Sequence, residues 1–199
     1  MKALYSVSNG LKRYANKRYI LPLVFLLIAI LVLMERGPFG SGKLKALSGG
    51  LGMLDMMFGY SAELAYGMLE RIGVLGRQLY TRLLGLDFLF AAVYMALQSL
   101  LLTALMKKAN LGGRWQALNL LPFLRSALDV AENCLLLYVI AAFPARHGAA
   151  VSVASAVTVV KLALNYGYIA IVFILGALTM RRTFSVRRKR KPDEMGCVE

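Results

Sequence analysis

Residues 86–106 read LDFLFAAVYMALQSLLLTALM, twenty-one positions with one charge, Asp87, near the start, and Lys107 and Lys108 directly after. An α-helix rises about 1.5 Å per residue, so a run of this length covers the roughly 30 Å of a bilayer's hydrocarbon. Three more stretches read the same way. Residues 19–34, YILPLVFLLIAILVLM, have Pro22 in a predicted first turn and Tyr14 and Tyr19 placed as an interfacial aromatic belt. Residues 118–143 contain LLPFLRSALDVAENCLLLYVIAAF and are the least apolar of the four, and residues 154–180 end at Arg181. With 59% hydrophobic residues in a chain of 199, a membrane protein is the natural reading.

The expectation is therefore an all-α integral membrane bundle with four transmembrane helices. Ala150 and Ala154, and Ala163 and Gly167, are small residues four apart, which let helices approach closely in lipid. The chain divides into a basic N-terminal segment (1–18), a first span (19–35), a Gly-rich linker (36–60), an amphipathic helix (61–82), a three-helix membrane unit (83–181) and a polybasic tail (182–199). In the helix at 61–82, Leu64, Met68, Ile72 and Leu75 share one face, and Ser61 is placed to cap the N-terminus with Glu63 beside it. It reads as an interfacial helix between the first two spans, lying on the membrane surface or capping the bundle, with Gly73 and Gly76 allowing a turn into the second span.

A net charge of +14 would suit nucleic acid, but the basic residues sit beside the apolar runs, as topology determinants do. Five Lys/Arg precede the first predicted span, three lie between the second and third, and seven follow the fourth; the opposite side holds seven. Both termini are thereby expected on the cytoplasmic side, or the matrix or stromal side of an organelle. Arg187, Arg188, Lys189, Arg190 and Lys191 are candidates for contact with anionic lipid headgroups. The expected partners are the bilayer and, in one reading, other membrane proteins, with no nucleic acid. A basic stretch before an apolar run also suits a secretory signal, but no A-x-A-like site follows Met34, so a retained anchor is expected. Cys134 and Cys197 are too few and too far apart for a disulfide framework.

Residues 37–44, GPFGSGKL, match all but the last position of the phosphate-cradling pattern G-x-x-x-x-G-K-[ST]. A working loop of that kind follows a buried strand and ends in a hydroxyl that holds Mg²⁺. Here an apolar membrane run precedes it and Leu44 takes the hydroxyl position, so no nucleotide is expected.

The informative residues are the polar ones that interrupt the spans, because a charge near the bilayer centre costs about 2.5–3.5 kcal/mol on insertion scales. Arg125, Asp129, Glu132 and Asn133 form one stripe of the third span; Lys161 and Asn165 lie on one face of the fourth, and Asp87, Tyr94 and Gln98 on one face of the second. The three stripes are expected to converge in the outer half of the bundle, three acids against two bases. Pairing of Lys161 with Asp129 or Glu132, and of Arg125 with Asp129, would serve helix register; a ligand, ion or proton site is the competing use. The best functional expectation is binding or transport of a lipid or small polar ligand at this cluster. The alternatives are a non-catalytic subunit of a larger membrane complex and a membrane-embedded lipid-modifying enzyme. No cofactor or metal is expected: His147 stands alone in a loop, and H-E-x-x-H, G-x-S-x-G and paired cysteines are lacking. Met53, Met56, Met57 and Met68 read as apolar packing.

Overall fold

Asn16 opens the first long helix, its side-chain oxygen accepting from the Arg18 N–H at 3.0 Å, which satisfies one of the free donors at a helix start. The apolar run then continues without a break to Arg36. A computed structural model describes the backbone of residues 2–190 and the side chains of 6–113 and 115–181. Over that range the elements are α1 (Lys2–Tyr14), α2 (Lys17–Arg36), α3 (Ser41–Leu47), a 3₁₀ turn (Leu54–Met56), α4 (Ala62–Arg71), α5 (Gly73–Lys108), a second 3₁₀ stretch (Gly113–Leu120), α6 (Leu121–Ala142) and α7 (Gly148–Arg190). Among the described residues all regular structure is helical, and the stretches Lys17–Leu47, Gly73–Lys108 and Gly148–Arg181 are long and apolar enough to cross a membrane. The expected third span corresponds to α6, whose 22 residues carry Arg125, Asp129 and Glu132.

The outer faces of these helices are what a water-soluble protein avoids. On α2 the only buried residue is Ile30, while Phe25 is 70% exposed; on α7, Phe173 is 74% exposed beside Ile174. Contiguous apolar surface on this scale needs lipid or protein against it. Helix α6 is different because it lies between α5 and α7, and its polar stripe turns inward to meet them.

Two hydrophobic clusters bracket that polar stripe. One joins Leu44 and Leu54 to Tyr66, Met68 and Leu69 of α4, Tyr80 and Leu84 of α5, Leu136 and Val139 of α6, and Val151 and Ala154 of α7. It forms a cap at the end of the bundle where α2 finishes. The other, at the far end of α5, joins Leu102, Met106 and Ala109 to Tyr168 and Leu175 of α7. At 36 residues α5 is about 54 Å long. That exceeds the roughly 30 Å of a bilayer core, and the surplus at its N-terminal end belongs to the cap.

Several local expectations shift. The segment 36–60 is no bare linker: α3 buries Leu44 completely, Ser48 Oγ accepts from the Gly52 N–H at 3.0 Å, and the loop beyond is pinned by side chains of α5 and α7. The amphipathic helix at 61–82 is two helices. Ser61 caps α4 by accepting from the Leu64 N–H at 3.2 Å, and Met68 and Ile72 face the core. The chain turns at Gly73 (φ +63°), and Leu75, on the new axis of α5, is 79% exposed. Gly76 makes the corner possible, since a Cβ there would lie 2.5 Å from that of Ile72. Helix α2 starts at Lys17, which moves Pro22 out of the first turn. Residues 118–120 belong to the 3₁₀ stretch, and α7 starts at Gly148, six residues before the predicted position. Ala154 is buried as a close-approach residue, whereas Ala163 and Gly167 face outward.

Candidate functional site

In the middle of the bundle Lys161, 4% exposed, places its ammonium 2.7 Å from Asp129 Oδ1 and 2.6 Å from Glu132 Oε2. The spacing of α6 makes this possible, because Asp129 and Glu132, three apart, project from one face toward α7. Arg125, four residues before Asp129, reaches its other oxygen at 3.2 Å and also lies over the Tyr94 ring of α5, 4.8 Å from its centroid. Thr158, one turn before Lys161 on α7, donates its hydroxyl to Glu132. Two cations thus answer two carboxylates in a buried interior, where each charge needs a close opposite charge to offset its lost hydration.

The remaining predicted residues come together in two smaller groups. Asn133 Nδ2 donates to Asp87 Oδ2 of α5 at 2.7 Å. Asn165 Oδ1 accepts from the Tyr94 hydroxyl at 3.2 Å and from Gln98 Nε2 at 3.3 Å, and so ties α7 to α5. All nine candidates therefore lie on the facing sides of α5, α6 and α7. Of the tail candidates, the side chains of Arg187, Arg188, Lys189 and Arg190, and the whole of Lys191, lie outside the described residues.

A fourth carboxylate was not expected. Asp55, in the 3₁₀ turn of the cap, is 2% exposed; the Tyr80 hydroxyl donates to its Oδ1 at 3.3 Å and itself accepts from the Leu54 N–H at 2.9 Å. Ser155 of α7 holds the same loop by accepting from the Tyr60 N–H at 2.8 Å. Burial pushes the Asp55 carboxyl from 3.8 up to about 7, opposed by Lys161 and reinforced by Asp87 and Glu132. Its surroundings, MLDMM inside a Gly-rich stretch, give only an indirect signal. An acid flanked by four large apolar residues is placed to be dragged into a core.

The acids outnumber the bases in this region by four to two, and Asp55 and Asp87 are the two left without a cation, of which Asp87 adjoins open space. Among the described residues no Lys or Arg stands within ion-pair distance of Asp87, although it is only 5% exposed. Asp87 is among the residues lining a cavity of about 520 Å³ that runs between α2, α3, the loop at 50–56 and α5. Glu35, Lys45, Leu31 and Phe90 contribute to the same wall. This volume falls within the range of ordinary small-ligand sites.

The GPFGSGKL stretch lacks a strand–loop–helix frame. It joins α2 to α3; Ser41 donates to Glu35, Lys43 Nζ donates to the Pro38 carbonyl at 2.7 Å, and Leu44 is buried. His147 donates its backbone N–H to the Tyr66 hydroxyl and rests its ring 5.0 Å from that of Tyr138.

The chain matches no family model, curated protein or solved structure.

Proposed function

We propose that this is an integral membrane protein of four spans, α2, α5, α6 and α7, with both termini on the cytoplasmic (or matrix or stromal) side. In this reading it binds or transports a lipid or small polar ligand beside its charged centre. The exposed apolar faces of α2 and α7 support the membrane setting, and the inward turn of the charges on α6 makes that helix compatible with a fourth crossing. Helix α4, seated against α5 and α7, then caps the outer end.

One observation carries the ligand reading: Asp87 is buried, lacks a cation and lines a cavity. Lys161 satisfies Asp129 and Glu132, as a register device would. Asp87 gains no such partner, and a carboxylate left this way is costly unless it takes up a proton or a cation from outside the chain answers it; the adjoining cavity favours the second. The test is mass spectrometry of protein extracted gently from membranes. A molecule that accompanies the native chain and is lost from Asp87→Asn supports the reading; identical spectra for the two proteins reject it.

A second reading, a non-catalytic subunit of a membrane complex, is favoured by apolar residues on the cap itself. Phe58 is 71% and Leu75 79% exposed, beyond the stretch that hydrocarbon would cover. Leu75→Asp should then release a protein partner that the native chain retains through purification in mild detergent.

A further inference from the structure

We infer that the Asp87 cavity takes the phosphoethanolamine headgroup of a phospholipid, with the ammonium on Asp87 and the phosphate toward Lys45; this rests on the ligand-binding reading above. The charges lining the cavity set the first requirement. Asp87 and Glu35 are acidic and Lys45 is the one base, so the occupant carries a cation and tolerates, or uses, an anion at the Lys45 side. Lys45 and Glu35 are exposed near the end of α2, at the depth where phosphates and water meet, whereas Asp87 is sunk to 5% exposure. Amine inward and phosphate outward is the arrangement that this gradient favours.

The chemistry of the cation follows from hydrogen bonding. Asp87 Oδ2 accepts from Asn133 at 2.7 Å, and Oδ1 accepts from no described group. A primary ammonium supplies three N–H donors to such an oxygen. A quaternary ammonium supplies none and is held instead by several aromatic faces, of which this wall offers one, Phe90. A headgroup with its own carboxylate would bring a further anion among Asp87 and Glu35. The two acyl chains have an apolar way out past Leu31, which lines the cavity from the outward face of α2 and is 46% exposed.

The test presents full-length protein in detergent with equimolar phosphatidylethanolamine, phosphatidylcholine and phosphatidylglycerol of identical acyl chains, and counts the bound lipids by native mass spectrometry. Phosphatidylethanolamine should exceed phosphatidylcholine at least tenfold, and Asp87→Asn should bring the two to parity. Leu31→Trp, at an exposed position outside the charged network, should lower all lipid adducts by narrowing the mouth, and it keeps the test valid if Asp87→Asn fails to fold. Lys45→Ala should weaken all three lipids by a similar factor. Phosphatidylcholine or phosphatidylglycerol held as well as phosphatidylethanolamine, yet lost on Asp87→Asn, overturns the headgroup assignment and leaves the ligand site standing. Adducts that neither Asp87→Asn nor Leu31→Trp alters overturn both.

Discussion

Lys161 holds two carboxylates at once, and that makes it the residue whose loss the fold should feel most. Replacing it with Met leaves Asp129 and Glu132 buried with one cation, Arg125, between them. The expected cost is about 3–5 kcal/mol, as when one partner of a buried pair is removed. Thermal unfolding in detergent should show a clear drop, and Lys161→Met with Asp129→Asn and Glu132→Gln should recover part of it. Asp55 makes a pH-dependent prediction. Its carboxyl is raised from 3.8 to about 7, so between those values the native state keeps a proton that the unfolded chain has released. Stability from this residue is fully present below about pH 4 and is lost as pH rises through about 7. Asp55→Asn should therefore gain on the native protein between pH 5 and pH 8, by an amount on the order of a few kcal/mol, read as the change in their melting-temperature difference. Packing decided that one ammonium meets both Asp129 and Glu132, although the facing stripes that bring Lys161 to the α6 acids were legible from helical spacing. The part played by Asp55 was not legible, because its partner Tyr80 lies 25 positions along the chain with a helix between them.

The corner between α4 and α5 is where the elements depart most from their sequence pattern. Leu64, Met68, Ile72 and Leu75 lie on one face of a continuous helix, yet the left-handed backbone at Gly73 ends that helix and redirects Leu75 outward. Periodicity cannot report this, since a glycine inside an amphipathic pattern is compatible with a helix or with a break. Gly73→Ala should cost about 1–2 kcal/mol, because an L-residue is strained in that conformation. Gly85, by contrast, is an exposed position inside α5 with open space where a Cβ would go. Gly85→Ala should stabilise the protein by about 0.5–1 kcal/mol. Opposite shifts in the two unfolding midpoints would confirm that the chain turns at the first glycine and runs straight through the second.

At the scale of the molecule, the cap and the two termini fall at opposite ends of the bundle in the proposed arrangement. In a chain carrying Cys134→Ser and Cys197→Ser, a cysteine placed at Met56 should react with a membrane-impermeant maleimide only from the outer side, and one placed at Arg13 only from the inner side. Labelling of both from one side would overturn the four-span topology. Sequence alone indicated roughly where the long helices run and that their faces are apolar enough for a membrane, because the length of an apolar run and the spacing of its charges are local properties of the chain. It also marked which residues of α5, α6 and α7 would face one another, because helical periodicity carries that information. Tertiary structure alone decided that the Gly-rich segment folds into a cap, that Asp55 joins the buried acids, and that Asp87 is left without a cation beside a cavity. Those outcomes depend on distances between residues far apart in the chain, where packing settles which charge meets which and no repeat in the sequence encodes the answer.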